Sequence, residues 1–546
     1  MKITAITIEN FKGISEPVRV ELKPITLLFG ANSVGKSTIV QALHYVREIL
    51  ERNNVDADHC LGADESLDLG GFRNLVHNHD LSNSIRIRIE MSIESYQLPD
   101  YMTVLVEAPG FTTKIFNNTT FPEITSFWVE LKVSYNRVTD EPYVSSYSVG
   151  FKDALFAQIS SDDAGKNAKI SFLDLQHSCI RDIEGFGGSE SNVLLKLRNE
   201  LFIDNAPNEQ SFNDEYTLVD QETAIPKWGR AMEFQWCHYE KARECAEEMD
   251  SNNGHHVYEH TKTFDENKAE FEGYISQLIV GPGELLLKEL KKTRYIGPIR
   301  KIPPREYTPP RHYDESRWAS GLAAWDLLFK AEPRLLTETS DWLSRKDRLN
   351  SGYSIRMYNY KKLDMAGDLY KALLAKGAKG KAAVVSMIEQ LPEDKQLLLT
   401  DERRKLDVLP QDVGIGISQI LPVVVGALDN GTSILMVEQP ELHIHPGLQT
   451  TLGDLFISQI QNEGKTFIIE THSEHLLLRL LRRIRETNDG ELPEGIDGLT
   501  PEQVSVNYIE LAEDGLRIRP MHISEDGDSL GEWPRGFFEE RSKELL

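Results

Sequence analysis

The apolar run Ile25-Thr26-Leu27-Leu28-Phe29 opens directly into Gly30-Ala31-Asn32-Ser33-Val34-Gly35-Lys36-Ser37-Thr38. No other stretch constrains the fold as strongly. The spacing G-x-x-x-x-G-K-[ST] is that of a phosphate-binding loop set between a strand and a helix. Gly30 and Gly35 let the backbone curl so that successive N–H groups point inward, with Asn32 inside the curl. Lys36 carries a positive charge to the outer phosphates, Ser37 offers a hydroxyl to Mg²⁺, and Thr38 starts the helix. Ile39, Leu43, Val46 and Leu50 then recur at helical spacing. The helix N-terminus adds partial positive charge beneath the phosphates.

Three further stretches lie near the other end of the chain. The apolar run Ile434-Leu435-Met436-Val437 ends in Glu438-Gln439-Pro440-Glu441. A strand ending in carboxylates suits the metal ion of a nucleotide, and Glu438 is the acid expected there. The run Thr466-Phe467-Ile468-Ile469-Glu470 ends in Thr471-His472-Ser473. Between Val413 and Gln419 a glycine-rich turn places Gly416, Ser418 and Gln419 at the start of an apolar helix, an anion-binding arrangement. The implied cofactors are ATP and Mg²⁺. One nucleotide site is thus built from both ends of the chain, a layout that a transporter ATPase, with its motifs close together, does not have.

At 546 residues, 40% hydrophobic and 27% charged, the chain has the composition of a soluble globular protein. No apolar stretch reaches the roughly 18 residues of a membrane span. Met1 to Ile6 reads as a strand and not as a leader peptide. Cys60, Cys179, Cys237 and Cys245 show no framework spacing, so free thiols in the cytoplasm are expected. Cys237, His238, Cys245, His255 and His256 match no standard zinc pattern. The net charge of −26 argues against a broad nucleic-acid surface. The segment 345–381 runs the other way, with ten basic residues against three acidic ones and Tyr353, Tyr358 and Tyr360 interleaved. It reads as a solvated basic face or as a dock for nucleic acid or an acidic partner.

The expected organisation is an N-terminal ATPase lobe with a β-rich part (1–190), an acidic helical insertion (191–293), a helical region with the basic segment (294–404) and a C-terminal ATPase lobe (405–546). Ile85 to Met91 alternates as a half-exposed strand. Phe127–Val133 and Val144–Phe151 read as strands joined by a turn at Asp140-Glu141-Pro142. Ala269 to Leu290 reads as an amphipathic helix broken at Gly281-Pro282-Gly283. Arg294 to Arg300 reads as a strand re-entering the main sheet, and 315–400 as mostly helical. No heptad run is long enough for a coiled-coil arm.

Ile8-Glu9-Asn10-Phe11-Lys12-Gly13, the P-loop, Gly416 to Pro422, Val437 to Pro446 and Glu470-Thr471-His472-Ser473 together resemble the RecF/SMC-like, ABC-type bacterial ATPases. That resemblance implies an α/β P-loop head built from both chain ends, with an antiparallel β piece and a helical insertion. It implies that Ser37 and Glu438 hold Mg²⁺, that His472 reaches the γ-phosphate, and that Gly416, Ser418 and Gln419 stand for the signature that caps a partner subunit's γ-phosphate. Ser418 and Gln419 are adjacent, so the usual L-S-G-G-Q is not literally present. Gln439 stands where such enzymes place a glutamate to activate water. A glutamine orients water but cannot take its proton, which leaves Glu441 as the nearest base.

The closing Glu532-Trp533-Pro534-Arg535-Gly536-Phe537-Phe538 resembles the tail of a subfamily of these ATPases, the PtuA type of Septu and retron-associated anti-phage systems. That resemblance implies head-to-head dimers or higher homo-oligomers and a partner HNH nuclease of the PtuB type. In retron versions it implies a reverse transcriptase and its DNA–RNA product as well. Two alternatives stay open: a RecF-like repair ATPase that binds DNA itself, and a self-contained ATPase-nuclease. Glu510, Asp526 and Asp528, within the 74 residues after His472, lie too close together to frame a nuclease domain, so an intrinsic nuclease is not expected.

Overall fold

The structure, a computed structural model, describes residues 1–31, 34–53, 55–56, 69–93, 98–101, 124–163, 165–174, 176–181, 217–219, 223–235, 264–312, 314–330, 333–374, 381–512 and 515–528. Asn32, Cys60, Cys237, Cys245, His238, His255, His256, Lys376, Lys379 and the tail from Glu532 to Phe538 lie outside these residues.

Among the described residues the strands form sheets of nine, six and three strands. The six-stranded sheet runs in the order Thr293–Ile296, Ile434–Glu438, Thr466–Glu470, Ile25–Gly30, Val504–Ala512 and Gly515–Met521. Its first five strands are parallel and the last is antiparallel. Three of them, Ile25–Gly30, Ile434–Glu438 and Thr466–Glu470, are buried at every position. Parallel strands covered on both faces read as unbroken apolar runs, which is why these were visible in the sequence.

Successive side chains on a strand point to opposite faces. Leu27, Phe29, Leu435, Val437, Phe467 and Ile469 accordingly join one core. Leu28, Ile434, Met436 and Ile468 join the other. The sheet is the wall between two cores. On one side lie the P-loop helix Thr38–Arg52, the helix Phe264–Leu290 and the nine-stranded sheet. On the other lie the helices Leu322–Lys330, Ile415–Leu428, Pro446–Glu463 and Glu474–Asp489.

The nine-stranded sheet contains the strands expected around Ile85, Phe127 and Val144, as Ile85–Ser92, Ser126–Asn136 and Glu141–Phe151, paired antiparallel. The strand expected near Arg294 is Thr293–Ile296, paired with Ile434–Val437.

Two expectations are corrected. The helix Phe264–Leu290 runs through Pro282 without a break. Its described part belongs to the N-terminal core, with Ile275, Leu278, Ile279 and Leu286 buried there. The stretch 315–400 is helical over Glu315–Trp318, Leu322–Lys330, Pro333–Ser344, Asp368–Leu374 and Lys381–Glu389, but it is interrupted by strands. Tyr353–Tyr360 and Asp394–Asp401 pair as antiparallel strands, with Leu406–Val408 on the outer edge. Ile355 is buried while its neighbour Arg356 is exposed, the two-residue period of a strand.

Candidate active site

The P-loop helix starts where a neighbouring strand forces glycine. Gly30 has φ +154°, and a Cβ there would lie 2.3 Å from the Ile509 carbonyl oxygen. Gly35 has φ +94°, in the region that favours glycine. Lys36, only 4% exposed, folds back to donate from Nζ to the carbonyls of Gly30 (3.2 Å) and Ala31 (2.8 Å). Burial lowers its pKa, opposed by the carboxylates of Glu470, Glu438 and Glu441. Ser37 stands at the helix N-cap but makes no capping bond. Its hydroxyl donates instead to Glu470 Oε2 at 2.8 Å. Thr38 opens the helix and is buried.

Parallel register brings the carboxylates together, because Glu438 and Glu470 end adjacent strands as paired residues. Ligands of open α/β sheets gather at this edge, the carboxyl ends of the strands. Tyr295, from the next strand, donates its hydroxyl to Glu438 Oε1 (2.9 Å). Burial, then Glu438, push the Tyr295 phenol well above its ordinary pKa. Burial and the neighbouring Glu438 also raise the Glu470 pKa, opposed by the Ser37 hydroxyl and Lys36.

Glu441 is tied to the loop that carries His472. Its Oε2 accepts from Thr471 Oγ1 (2.7 Å) and its Oε1 from the His472 backbone N–H (2.8 Å). Both carboxylate oxygens are thus engaged by the loop that carries His472. His472 is exposed beside the cluster. Partial desolvation, then Lys36, lower its pKa, opposed by Glu441.

Arg300 is 2% exposed and ties the carboxylate strand to the glycine-rich helix. Its Nη2 donates to the carbonyls of Glu438 (2.6 Å) and Gln439 (3.2 Å). Its own carbonyl accepts from Gln419 Nε2 at 2.7 Å. Burial lowers the guanidinium to about 10, against the pull of Glu441 and Glu438.

The glycine-rich turn differs from expectation. Ser418 is fully buried and donates to the Pro410 carbonyl (3.2 Å), while Gln419 is spent on Arg300. Neither side chain faces outward. Gly416 is required by close packing, since a Cβ there would lie 2.7 Å from the His443 carbonyl oxygen. The exposed part of this helix start is Gly414 and Ile415.

The structure therefore brings together Gly30, Gly35, Lys36, Ser37, Glu438, Gln439, Glu441 and His472, and sets Ser418 and Gln419 behind them. Sequence reasoning missed Glu470, Tyr295 and Arg300 as site residues. Glu470 had a signal, because it ends an apolar strand as Glu438 does. The residues fit a magnesium nucleotide. A buried ammonium, that of Lys36, and the Ser37 hydroxyl sit beside carboxylates. Among the described residues no group of three or more His, Cys, Asp or Glu could hold a metal ion alone. Mg²⁺ is commonly bound by one or two carboxylates together with substrate phosphates. Lys36 would meet the phosphates, and Ser37 and Glu438 the ion. A bound ion supplies neutralisation of phosphate charge.

Residues 1–297, more than half of the 546, match the AAA ATPase domain family. The chain belongs to that family. It is an ATPase of the AAA type. Residues 304–479 match a second family, described as "AAA domain, putative AbiEii toxin, Type IV TA system". The comparison with curated proteins gave no match. Among solved structures, an SMC head bound to the C-winged helix domain of ScpA aligns with TM-score 0.41 at 9% identity, over 96% of this chain and 98% of that one. The SMC head domain from Thermotoga maritima aligns with TM-score 0.36 at 9% identity, over 96% of this chain and 100% of that one. An SMC head with an extended coiled coil, bound to the C-terminal domain of ScpA derived from Pyrococcus furiosus, aligns with TM-score 0.37 at 9% identity, over 100% of this chain and 98% of that one.

Elsewhere, among the described residues of the basic segment, four cations stand in exposed ion pairs. Arg345 pairs with Asp347, Arg356 with Asp407, Lys362 with Asp394 and Lys371 with Asp368. Arg348 lies over the Trp342 ring, and Lys361 donates to the carbonyls of Ile388 and Glu389. Glu510 pairs with Arg519, and Asp528 with Arg485. Among the described residues no helix is long and apolar enough to cross a membrane.

Proposed function

We propose that this chain holds ATP·Mg²⁺ for long periods, hydrolyses it slowly, and uses the held state to regulate a partner HNH nuclease in antiviral defence. The observation that carries slow turnover is the pair at the carboxylate loop. Gln439 cannot accept a proton, and both oxygens of Glu441 are occupied by Thr471 and His472. General-base help is worth about 10²–10⁴ in rate, and enzymes commonly turn over near 10 per second. Turnover on the order of 10⁻³–10⁻¹ per second follows from those figures. A long-lived ATP state suits a switch, because a ligand biases two conformations only through its different affinity for them.

The nuclease partner rests on the likeness of Glu532 to Phe538 to the PtuA-type tail. The second family's printed description, a putative toxin of a Type IV TA system, is in keeping with a defence setting. The ion pairs along 345–371 leave fewer cations for nucleic-acid phosphates, which weighs against the RecF-like reading. Retron or stand-alone Septu context would decide whether a reverse transcriptase joins.

The test has two arms. A fluorescent ATP analogue titrated into wild type and Lys36→Ala should show a loss of about 10–150-fold, the worth of one charge-assisted hydrogen bond. Equal affinities would remove Lys36 from the phosphate site. Co-expressed with the HNH protein of its locus, the chain should co-purify with it and change its cleavage of nucleic acid between ATP and ADP. Cleavage indifferent to the nucleotide, or by the lone chain, would overturn the regulator reading.

A further inference from the structure

Glu470 engages the two P-loop side chains that a magnesium nucleotide needs. One of its oxygens accepts the Ser37 hydroxyl at 2.8 Å, and the other stands 3.8 Å from the Lys36 ammonium. The neighbouring acids are committed elsewhere. Glu438 accepts from Tyr295, and Glu441 from Thr471 and the His472 N–H. Glu470 is 7% exposed and lies in register with Glu438, 8% exposed. Two carboxylates are therefore fixed side by side at the mouth of a phosphate cradle.

That placement works against a bare triphosphate. Its charges would come up against Glu470 and Glu438 where little water screens them, and Lys36 would have to leave Glu470 to meet them. A divalent ion reverses the sign of the carboxylates' contribution, because hard cations take carboxylate and hydroxyl oxygens as ligands. Neighbouring ligands of an octahedral ion with bonds of 2.0–2.1 Å lie about 2.9 Å apart. Ser37 Oγ and Glu470 Oε2 already stand 2.8 Å apart.

We propose that Glu470 makes nucleotide capture conditional on the metal. Without the ion it restrains Ser37 and Lys36 and repels the triphosphate. With the ion it joins Ser37 as an oxygen ligand and releases Lys36 to the phosphates. This deepens the ATP reading and rests on it. Glu470 is then a metal-sensing residue at the P-loop, additional to Glu438.

The experiment is a binding titration, independent of turnover. A fluorescent non-hydrolysable ATP analogue is titrated into the full chain in Mg²⁺ and in EDTA, for wild type, Glu470→Gln and Glu470→Asp. Wild-type affinity should fall by about a hundredfold or more in EDTA, the scale of losing one close attraction and gaining one repulsion. Glu470→Gln should bind the metal-free analogue about tenfold tighter than wild type does, narrowing the gap. Glu470→Asp, which keeps the charge but draws it back from Ser37, should fall between them. Thermal melting checks that the variants fold, and if Glu470→Gln does not, Glu470→Asp carries the comparison. A wild type indifferent to EDTA, or a gap of unchanged size in the variants, overturns the gate and leaves ATP binding standing. No binding by wild type even in Mg²⁺ overturns the ATP reading, and the gate with it.

Discussion

Gln439 turns the chain at φ +45° directly after the carboxylate strand. Its N–H donates to the Glu470 carbonyl (2.7 Å) and its carbonyl accepts from Arg300 (3.2 Å). A backbone held from both sides fixes where the side chain begins, so Gln439→Glu changes the chemistry and not the path of the chain. With a proton acceptor restored, single-turnover hydrolysis should rise by about 10²–10⁴. A rate that does not move, or a wild type already at about ten per second or more, would show that the glutamine is no brake. At this scale the sequence was legible wherever spacing alone fixes neighbours. Lys36 and Ser37 follow Gly35 within one loop, and no other fold knowledge is needed to place them. Tyr295, Arg300 and Glu470 become neighbours only through the order of parallel strands, which local pattern does not encode.

The helix Phe264–Leu290 shows at the scale of an element why local propensity misled. Proline inside a helix removes a donor and crowds the preceding turn, which argued for a break. The break is avoided by a side chain from another sheet. The Tyr147 hydroxyl donates to the Ile279 carbonyl at 2.9 Å and takes the backbone N–H of Gly283. Gly283 makes room for it, because a Cβ there would lie 2.4 Å from that hydroxyl and 2.7 Å from the Trp228 ring. Trp228 in turn donates to the Leu50 carbonyl near the end of the P-loop helix (2.8 Å). The long helix thus stays continuous beneath the P-loop helix because Tyr147 completes its ladder. Tyr147→Phe leaves a buried carbonyl and a buried N–H without that partner, at a cost of about 1–3 kcal/mol. Chemical denaturation should show the loss as a lower midpoint, with nucleotide affinity of the folded protein retained. An unchanged midpoint would mean that the helix satisfies itself around Pro282. The strand Tyr353–Tyr360 misled in the opposite sense, since its lysine- and arginine-rich surroundings hid a clear two-residue alternation at Ile355 and Arg356.

The whole molecule brings Ile25–Gly30 and, from much later in the chain, Val504–Ala512 side by side in one central sheet, and the nucleotide edge of that sheet is also where the helix Ile415–Leu428 begins. A two-fold pairing of such heads would bury the same patch on each copy. The sequence pointed to Ser418 as the group reaching across, but its burial rules out the simplest test, because Ser418→Arg would force a charge into the core. Ile415 is the better probe. It is a large apolar side chain, 51% exposed, one residue from Gly416, which packs against the His443 carbonyl beside the carboxylate loop. Arg300 and Gln419 connect this helix to Glu438 and Gln439, so its position and the site's geometry are mechanically joined. Each copy carries a net charge of −26, and like charges oppose association unless salt screens them. If heads close on ATP through this face, self-association should appear with a non-hydrolysable ATP analogue and strengthen, or at least persist, as salt is raised. Ile415→Glu adds a second copy of an unwelcome charge at the centre of a symmetric contact. It should leave nucleotide affinity of the single chain within about twofold, a surface change of the usual small size, while abolishing the ATP-dependent species in sedimentation velocity. Association that survives Ile415→Glu unchanged would move the contact away from this helix, and association that is independent of nucleotide would separate assembly from the ATP site altogether.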